Sequence, residues 1–366
     1  MIVLTAVLFL HLLIGRAIEE LNLKALPYFF TVVLFAVLMV FTVGITNTAD
    51  WNMYYHFFKY EVEETDFTYY RLSVLFHKYH LSFEDLFVFH IVLSALLTFF
   101  LVSRFTRNVF YVLLIYYLLD YVHVVNQIRY YLGFPILTLG FYYLFIQKRY
   151  ILAIGLIAIS LLTHIGLLFL LLFIPLYYFV KPQKYLKTVS LLSVLIFAIV
   201  FIISKTGLGT VIEHFGSYLE REGISSFLGG FLSGIPYFLF IPFLLIISRK
   251  IDFTLPEYNT PQFIFLYKIT FMSVIFIPSA LILQIIGFRY IKPTMIFWFI
   301  YFLYITKQQS SNKVRSIYFV LFFILAVTSI FATYYLKEMI LGSSGFEQES
   351  EVILKSIKYL RGIIND

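Results

Sequence analysis

Between residues 2 and 336 the chain is a succession of apolar runs, each close to the length that crosses a bilayer, and this repetition restricts the fold more than any other feature. With no water in the hydrocarbon layer, every backbone N–H and C=O of a crossing segment must be satisfied within the protein, which leaves α-helices and closed barrels. Runs of roughly 17 to 25 apolar residues have the length of a crossing helix. Twelve spans are expected, at 2–18, 27–45, 86–103, 109–125, 130–147, 150–163, 165–180, 188–204, 232–248, 262–286, 291–306 and 314–336. The run from Ile151 to Val180 is too long for one crossing at about 1.5 Å per residue. It is divided where Thr163, His164 and Gly166 interrupt it, giving two short helices that meet near one membrane face.

Hydrophobic residues make up 61% of the chain and charged residues 13%, far from the roughly one quarter charged of a soluble domain. The expected fold is therefore all-α and polytopic, with about 12 transmembrane helices in a single domain over residues 1–336. Residues 1–14 lack a basic start and a small-residue cleavage site, so they are expected to remain as the first span. Loops 46–85 and 205–231 are long enough for short helices lying on the membrane, and Ser82 with Asp85 has the capping-box spacing that would open the third span. In the tail, 337–366, Ile353, Ile357, Leu360 and Ile364 share one face, as in an interfacial amphipathic helix.

Lysine and arginine give the orientation. If loops alternate sides, one side holds fifteen cations against four acids, counting Lys268 as a snorkelling side chain, and the other eight cations against eleven acids. The basic side is expected to be cytoplasmic, with both termini outside. The net charge of +7 then reports topology and gives no ground for nucleic-acid binding.

With the sides assigned, the chemically capable residues fall outside the membrane's cytoplasmic face. Asp50 and Tyr54 lie in the first outer loop. Gln127 and Arg129 stand at the mouth of the fifth span, beside Asp120, His123 and Asn126. His164 sits at the break, and Arg289, Tyr290 and Lys292 link spans ten and eleven. Loop 205–231 adds His214, Glu220, Arg221 and Glu222. Arg129 and Arg289 could instead be interfacial anchors, Asp50 a helix cap, and His164 a core histidine satisfied by a carbonyl. Guanidinium binds phosphate as a planar fork and keeps its charge when partly dehydrated. Two arginines and a histidine at a lipid–water boundary, with aromatic rings to stack on sugars, therefore suit a lipid-linked sugar diphosphate.

The order of several short features resembles the EpsG-type, Wzy-like family of membrane polysaccharide polymerases over residues 28–305. These are Asp50 with Tyr54, Ile128-Arg129 entering a span, the basic turn Lys148-Arg149, His164 followed by Ile165, Gly166, Leu167 and Leu168, and the late pair Arg289-Tyr290. Where the family pattern has Gln after the arginine this chain has Tyr130, with Gln127 before it, and Ile165 stands where a small polar residue is expected. The resemblance implies a helical bundle like those of lipid-dependent (GT-C-like) glycosyltransferases, in a bacterial cytoplasmic membrane with an extracytoplasmic site. It implies polymerisation of undecaprenyl-pyrophosphate-linked repeat units into exopolysaccharide, capsule or O-antigen, with a chain-length regulator and a flippase as partners. On that reading Arg129 and Arg289, with Tyr290, Gln127 and Tyr54, bind pyrophosphate and sugar, while His164 or Asp50 is the general base. No metal or other cofactor is required. A lipid-linked oligosaccharide transporter and a glycan ligase or acyltransferase are the alternatives.

Overall fold

A computed structural model describes residues 13–15, 17, 25–43, 48, 50–63, 66–206, 227–249, 251–309, 311–336 and 340. Among the described residues every regular element is helical. The expected first span at 2–18 falls largely outside them, as do His214, Glu220, Arg221, Glu222 and the amphipathic tail. The chain divides into two compact units, Ile18–Leu172 and Phe173–Phe346.

The first unit contains α1 (Leu26–Val43), α2 (Trp51–Tyr60), α3 (Phe67–Lys78), α4 (Phe83–Ser103), α5 (Val109–Asn126), α6 (Ile128–Phe145) and α7 (Tyr150–Thr163), followed by a 3₁₀ segment, Ile165–Leu172. Short helices in loop 46–85 are present as expected. They are held down by an aromatic core in which Trp51, Tyr54 and Phe58 of α2 and Tyr69 and Phe76 of α3 pack with Phe83, Leu86 and Phe87 of α4. The capping box of α4 is formed: Ser82 Oγ accepts from Asp85 N–H at 3.2 Å, and Ser82 N–H donates to Asp85 Oδ2 at 2.8 Å. The buried face of α3 is Tyr69, Ser73 and Phe76, spaced for one side of a helix.

Helix α6 is the buried centre of this unit, and α7 lies along it with little between their backbones. A Cβ placed on Gly133 would come 3.2 Å from the carbonyl oxygen of Ser160, and one on Gly140 would come 3.3 Å from that of Ala153. Both pairs lie seven residues apart, so the two helices run antiparallel in close register through small residues, as helices in lipid often do. Register fixes what lies beyond it: Arg129 is four residues before Gly133, and His164 four residues after Ser160. The two side chains arrive at the same end of the hairpin.

The apolar run 151–180 breaks at His164 as expected. The backbone there is extended (φ −160°, ψ 113°), and the chain continues as 3₁₀ rather than α-helix. Exposed faces of α7 are apolar, with Ile151 91% and Ile154 64% exposed, which is the pattern of a helix facing lipid.

In the second unit are α8 (Phe173–Phe179), α9 (Pro182–Thr206), α10 (Phe227–Ser248), α11 (Pro261–Met272), α12 (Ile277–Ala280), α13 (Gln284–Ile286), α14 (Met295–Gln308) and α15 (Asn312–Phe331). The expected continuous span 262–286 is not continuous. A 3₁₀ turn, Ser273–Phe276, intervenes after α11, and α12 holds in its first turn Pro278, which has no N–H to carry the ladder on. The chain then passes through a π-turn, Gly287–Ile291, before α14. Lys268 does not snorkel. It is 2% exposed, and its Nζ donates to the carbonyls of Tyr177 at 2.7 Å and Val180 at 2.5 Å, satisfying the end of α8.

Among the described residues six helical segments are long and apolar enough to cross a membrane: Phe83–Ser103, Val109–Asn126, Pro182–Thr206, Phe227–Ser248, Pro261–Ala280, which includes the 3₁₀ turn, and Asn312–Phe331. Shorter apolar helices at Leu26–Val37, Tyr150–Thr163 and Ile165–Phe179 accompany them. The protein is thus a multi-pass helical membrane protein. The close α6–α7 packing gives a direct test. Gly133→Leu should destabilise the protein by about 1–3 kcal/mol through overpacking, read as an earlier unfolding midpoint in detergent. Gly155→Leu, where a Cβ meets nothing within 4 Å, should leave the midpoint unchanged or slightly raised.

Candidate functional site

The site in the first unit is organised by a residue that sequence reasoning passed over. Asp66 occupies the N-cap position of α3, yet its side chain makes no cap hydrogen bond to that helix. Its Oδ2 instead meets Arg129 Nη1 at 3.0 Å and His164 Nδ1 at 2.8 Å, and its Oδ1 accepts from the Ile165 N–H at 3.4 Å. All three side chains are between 11% and 14% exposed. Thr163 Oγ1 donates to Thr68 Oγ1 at 3.2 Å, a second tie between the start of α3 and the end of α7.

Arg129 is further confined by aromatic faces. Its guanidinium carbon lies 5.1, 5.4 and 5.8 Å from the ring centres of Tyr54, Phe57 and Tyr69, and the Tyr54 side chain hydrogen-bonds it. Tyr69 is held in turn by donating its hydroxyl to the Tyr54 carbonyl at 2.8 Å. Cation–π contacts of this kind strengthen where water is excluded. The Arg129 Nε is buried without a hydrogen-bond partner.

His164 gains a defined tautomer. With Nδ1–H directed at a carboxylate, Nε2 of the neutral ring is the basic nitrogen. Tyr130 meets the imidazole edge-on, ring centres 5.4 Å apart and planes at 76°. A Cβ on Gly166 would lie 3.2 Å from Nε2, so the small residue after Ile165 leaves that nitrogen room.

Of the residues expected from sequence, Tyr54, Arg129 and His164 are brought together, with Asp66 between the last two. Asp50 is the residue before α2; its carbonyl accepts from Tyr54 N–H at 3.0 Å and its carboxylate makes no cap hydrogen bond, so the capping role considered for it is not what the structure contains. Gln127 forms the one-residue break between α5 and α6, where its Oε1 is buried without a hydrogen bond. Arg289 and Tyr290 lie on the π-turn of the second unit, where Tyr290 stacks on Phe276 with ring centres 4.9 Å apart. Among the described residues, no group of three or more His, Cys, Asp or Glu side chains is arranged to hold a metal ion. The signal that could have found Asp66 was its cap position one residue before an amphipathic helix, the same signal that makes such a residue look structural.

A multi-pass helical membrane protein with a carboxylate, an imidazole and a guanidinium clustered at the end of a buried helix hairpin is the class defined so far. The chain belongs to the EpsG family, whose model matches residues 27–343. No curated protein and no solved structure matches it.

Burial pushes the Asp66 carboxyl up, but the His164 hydrogen bond and charge, followed by the charge of Arg129, outweigh this and hold it below 3.8. A carboxylate with a depressed folded-state pKa contributes stability that is present above the unfolded value and lost as pH falls through the folded one. Asp66→Ala leaves a buried guanidinium without its carboxylate and should cost about 3 kcal/mol or more. Denaturation at pH 5 should reveal that difference from wild type. It should shrink as pH drops below 3.8, the carboxylate reference value.

Proposed function

We propose that this protein polymerises polyprenyl-diphosphate-linked oligosaccharide repeat units into a surface polysaccharide at the outer face of the bacterial cytoplasmic membrane. The observation that carries the reading is the single carboxylate shared by Arg129 and His164, in a chain of the EpsG family. A guanidinium and an oriented imidazole side by side are the two functions that glycosyl transfer from a diphosphate needs. Charge asymmetry between the loops supports an extracytoplasmic site, since the basic loops belong inside.

In the proposed reaction an acceptor sugar hydroxyl attacks the anomeric carbon of the donor. A C–O bond forms there, the bond to the diphosphate oxygen breaks, and the polyprenyl diphosphate leaves with the electron pair. His164 Nε2 accepts the acceptor's proton as general base. Asp66 holds the ring in the required tautomer and stabilises the imidazolium that forms, a role familiar from the Asp–His pairs of hydrolases. This argues for His164 over Asp50 as the base.

Arg129 meets the departing diphosphate and offsets the charge that grows on it. The neighbouring carboxylate keeps the resting cation compensated, so little reorganisation is needed when the diphosphate arrives. Tyr54 and Gln127 line the approach as sugar contacts. Arg289 and Tyr290 are assigned to diphosphate binding on their own unit's broken segment.

Purified protein supplied with lipid-linked repeat units should give a ladder of longer products. A single transfer would indicate a ligase and unchanged substrate a transporter. Arg129→Ala and His164→Gln should each lower the rate by on the order of a hundredfold or more. Wild-type rates from correctly inserted Arg129→Ala would overturn the diphosphate assignment.

A further inference from the structure

Pro135 stands inside α6 and has no N–H, so the carbonyl of Tyr131, four residues earlier, loses its helical donor. Ser94 of α4 replaces it, its Oγ donating to that carbonyl at 2.6 Å. The other end of the same residue is also tied. The Tyr131 hydroxyl donates to Asp120 Oδ2 of α5 at 2.5 Å, and His123 Nδ1 lies 3.3 Å from Asp120 Oδ1. Asp120 is fully buried, and the proposed reaction makes no use of it. An acid at that depth calls for a reason, because ionisable groups within a membrane bundle are costly.

The segment between the Gln127 break and Pro135 is the first two turns of α6, and it carries Arg129 and Tyr130. A missing ladder bond lets such a segment swing relative to the rest of its helix. Tyr131 is gripped from two neighbouring helices, by its backbone from α4 and by its side chain from α5. The adjacent Tyr130 bears edge-on against His164, while Arg129 bears on Asp66.

We propose that Asp120 and Ser94 are positioning residues that act through Tyr131, setting the segment before Pro135 so that Arg129 and Tyr130 meet Asp66 and His164 in the reactive arrangement. This rests on the assignment of Arg129 and His164 to glycosyl transfer. The ties act on geometry and touch no substrate, so their loss should appear in kcat and leave KM for the repeat unit nearly as it was. A displacement of about 1 Å at a reacting group can cost up to a hundredfold.

The test uses Tyr131→Phe, which keeps the ring, and Ser94→Ala, with Ser94→Thr as the conservative control. Two readouts are taken in the full-length protein in detergent: kcat and KM with lipid-linked repeat units, and the NMR shifts of the His164 imidazole in selectively labelled protein, assigned by their loss in His164→Gln. Each variant should lower kcat by about tenfold to a hundredfold with KM within about twofold of wild type, and should shift the His164 resonances, while Ser94→Thr restores both. Unmoved His164 resonances in both Tyr131→Phe and Ser94→Ala would overturn the proposal, whatever the activity. Shifted resonances in the variants, with a wild type that transfers no sugar, would leave the positioning intact and remove the reading of the reaction. If Tyr131→Phe fails to fold, Ser94→Ala, which removes one hydroxyl of α4 that reaches the Tyr131 carbonyl, decides alone.

Discussion

Asp66 compensates one buried cation, fixes the tautomer of a histidine and receives a backbone N–H, all with a side chain whose local chemistry would direct it elsewhere. An aspartate at an N-cap ordinarily accepts from its own helix, a contact worth about 1 kcal/mol. Giving that up is favourable here because Arg129 is charged and both partners are shielded from water, and a charge-assisted bond is roughly twice as strong as a neutral one. The arrangement draws α3, α6 and α7 to one point, so a change in any of these helices is felt by the cluster. Its depressed carboxyl pKa is a consequence of that convergence: the two partners favour the anion more than burial disfavours it.

Convergence requires that α6 and α7 be held in register, and in lipid the hydrophobic effect cannot do this, because hydrocarbon tails are as apolar as leucine. Close backbone approach through Gly133 and Gly140 against Ser160 and Ala153 does it instead. Outside the hairpin, the amphipathic helices α2 and α3 are fastened by aromatic packing onto α4. The polar cluster therefore sits at the ends of packed helices, and aromatic rings around Arg129 serve both as core and as cation contacts.

Much of this was legible as pattern. Apolar runs located nearly all the described helices, the Ser82–Asp85 box appeared where its spacing predicted, and the histidine in the long run 151–180 marked a true break. These features are local, set by residues within a turn or two of one another. What could not be read was long-range: Asp66 lies 98 residues from His164 in the chain, and nothing in "TDFTYYR" distinguishes a carboxylate that caps from one that reaches across to another helix. Lys268 was misread for a related reason. A lone lysine in an apolar helix looks like a snorkelling anchor until the carbonyls it satisfies, some ninety residues away, are visible.

Two of the prolines within the apolar helices, Pro135 and Pro278, have opposite consequences, and the difference lies in what receives the orphaned carbonyl. At Pro135 a serine from a neighbouring helix donates to the freed oxygen, so the helix continues and keeps its first turns in a defined direction. At Pro278 the chain instead leaves the α-helical ladder, passing through 3₁₀ and π geometry to the segment that carries Arg289. In a bilayer, irregular backbone is tolerated only where protein or water-filled cavity surrounds it, and Leu283, Gln284, Gly287 and Ile291 along this segment are indeed buried. Both arginines singled out from the sequence thus stand beside interrupted helices, where backbone groups are released from their own ladder.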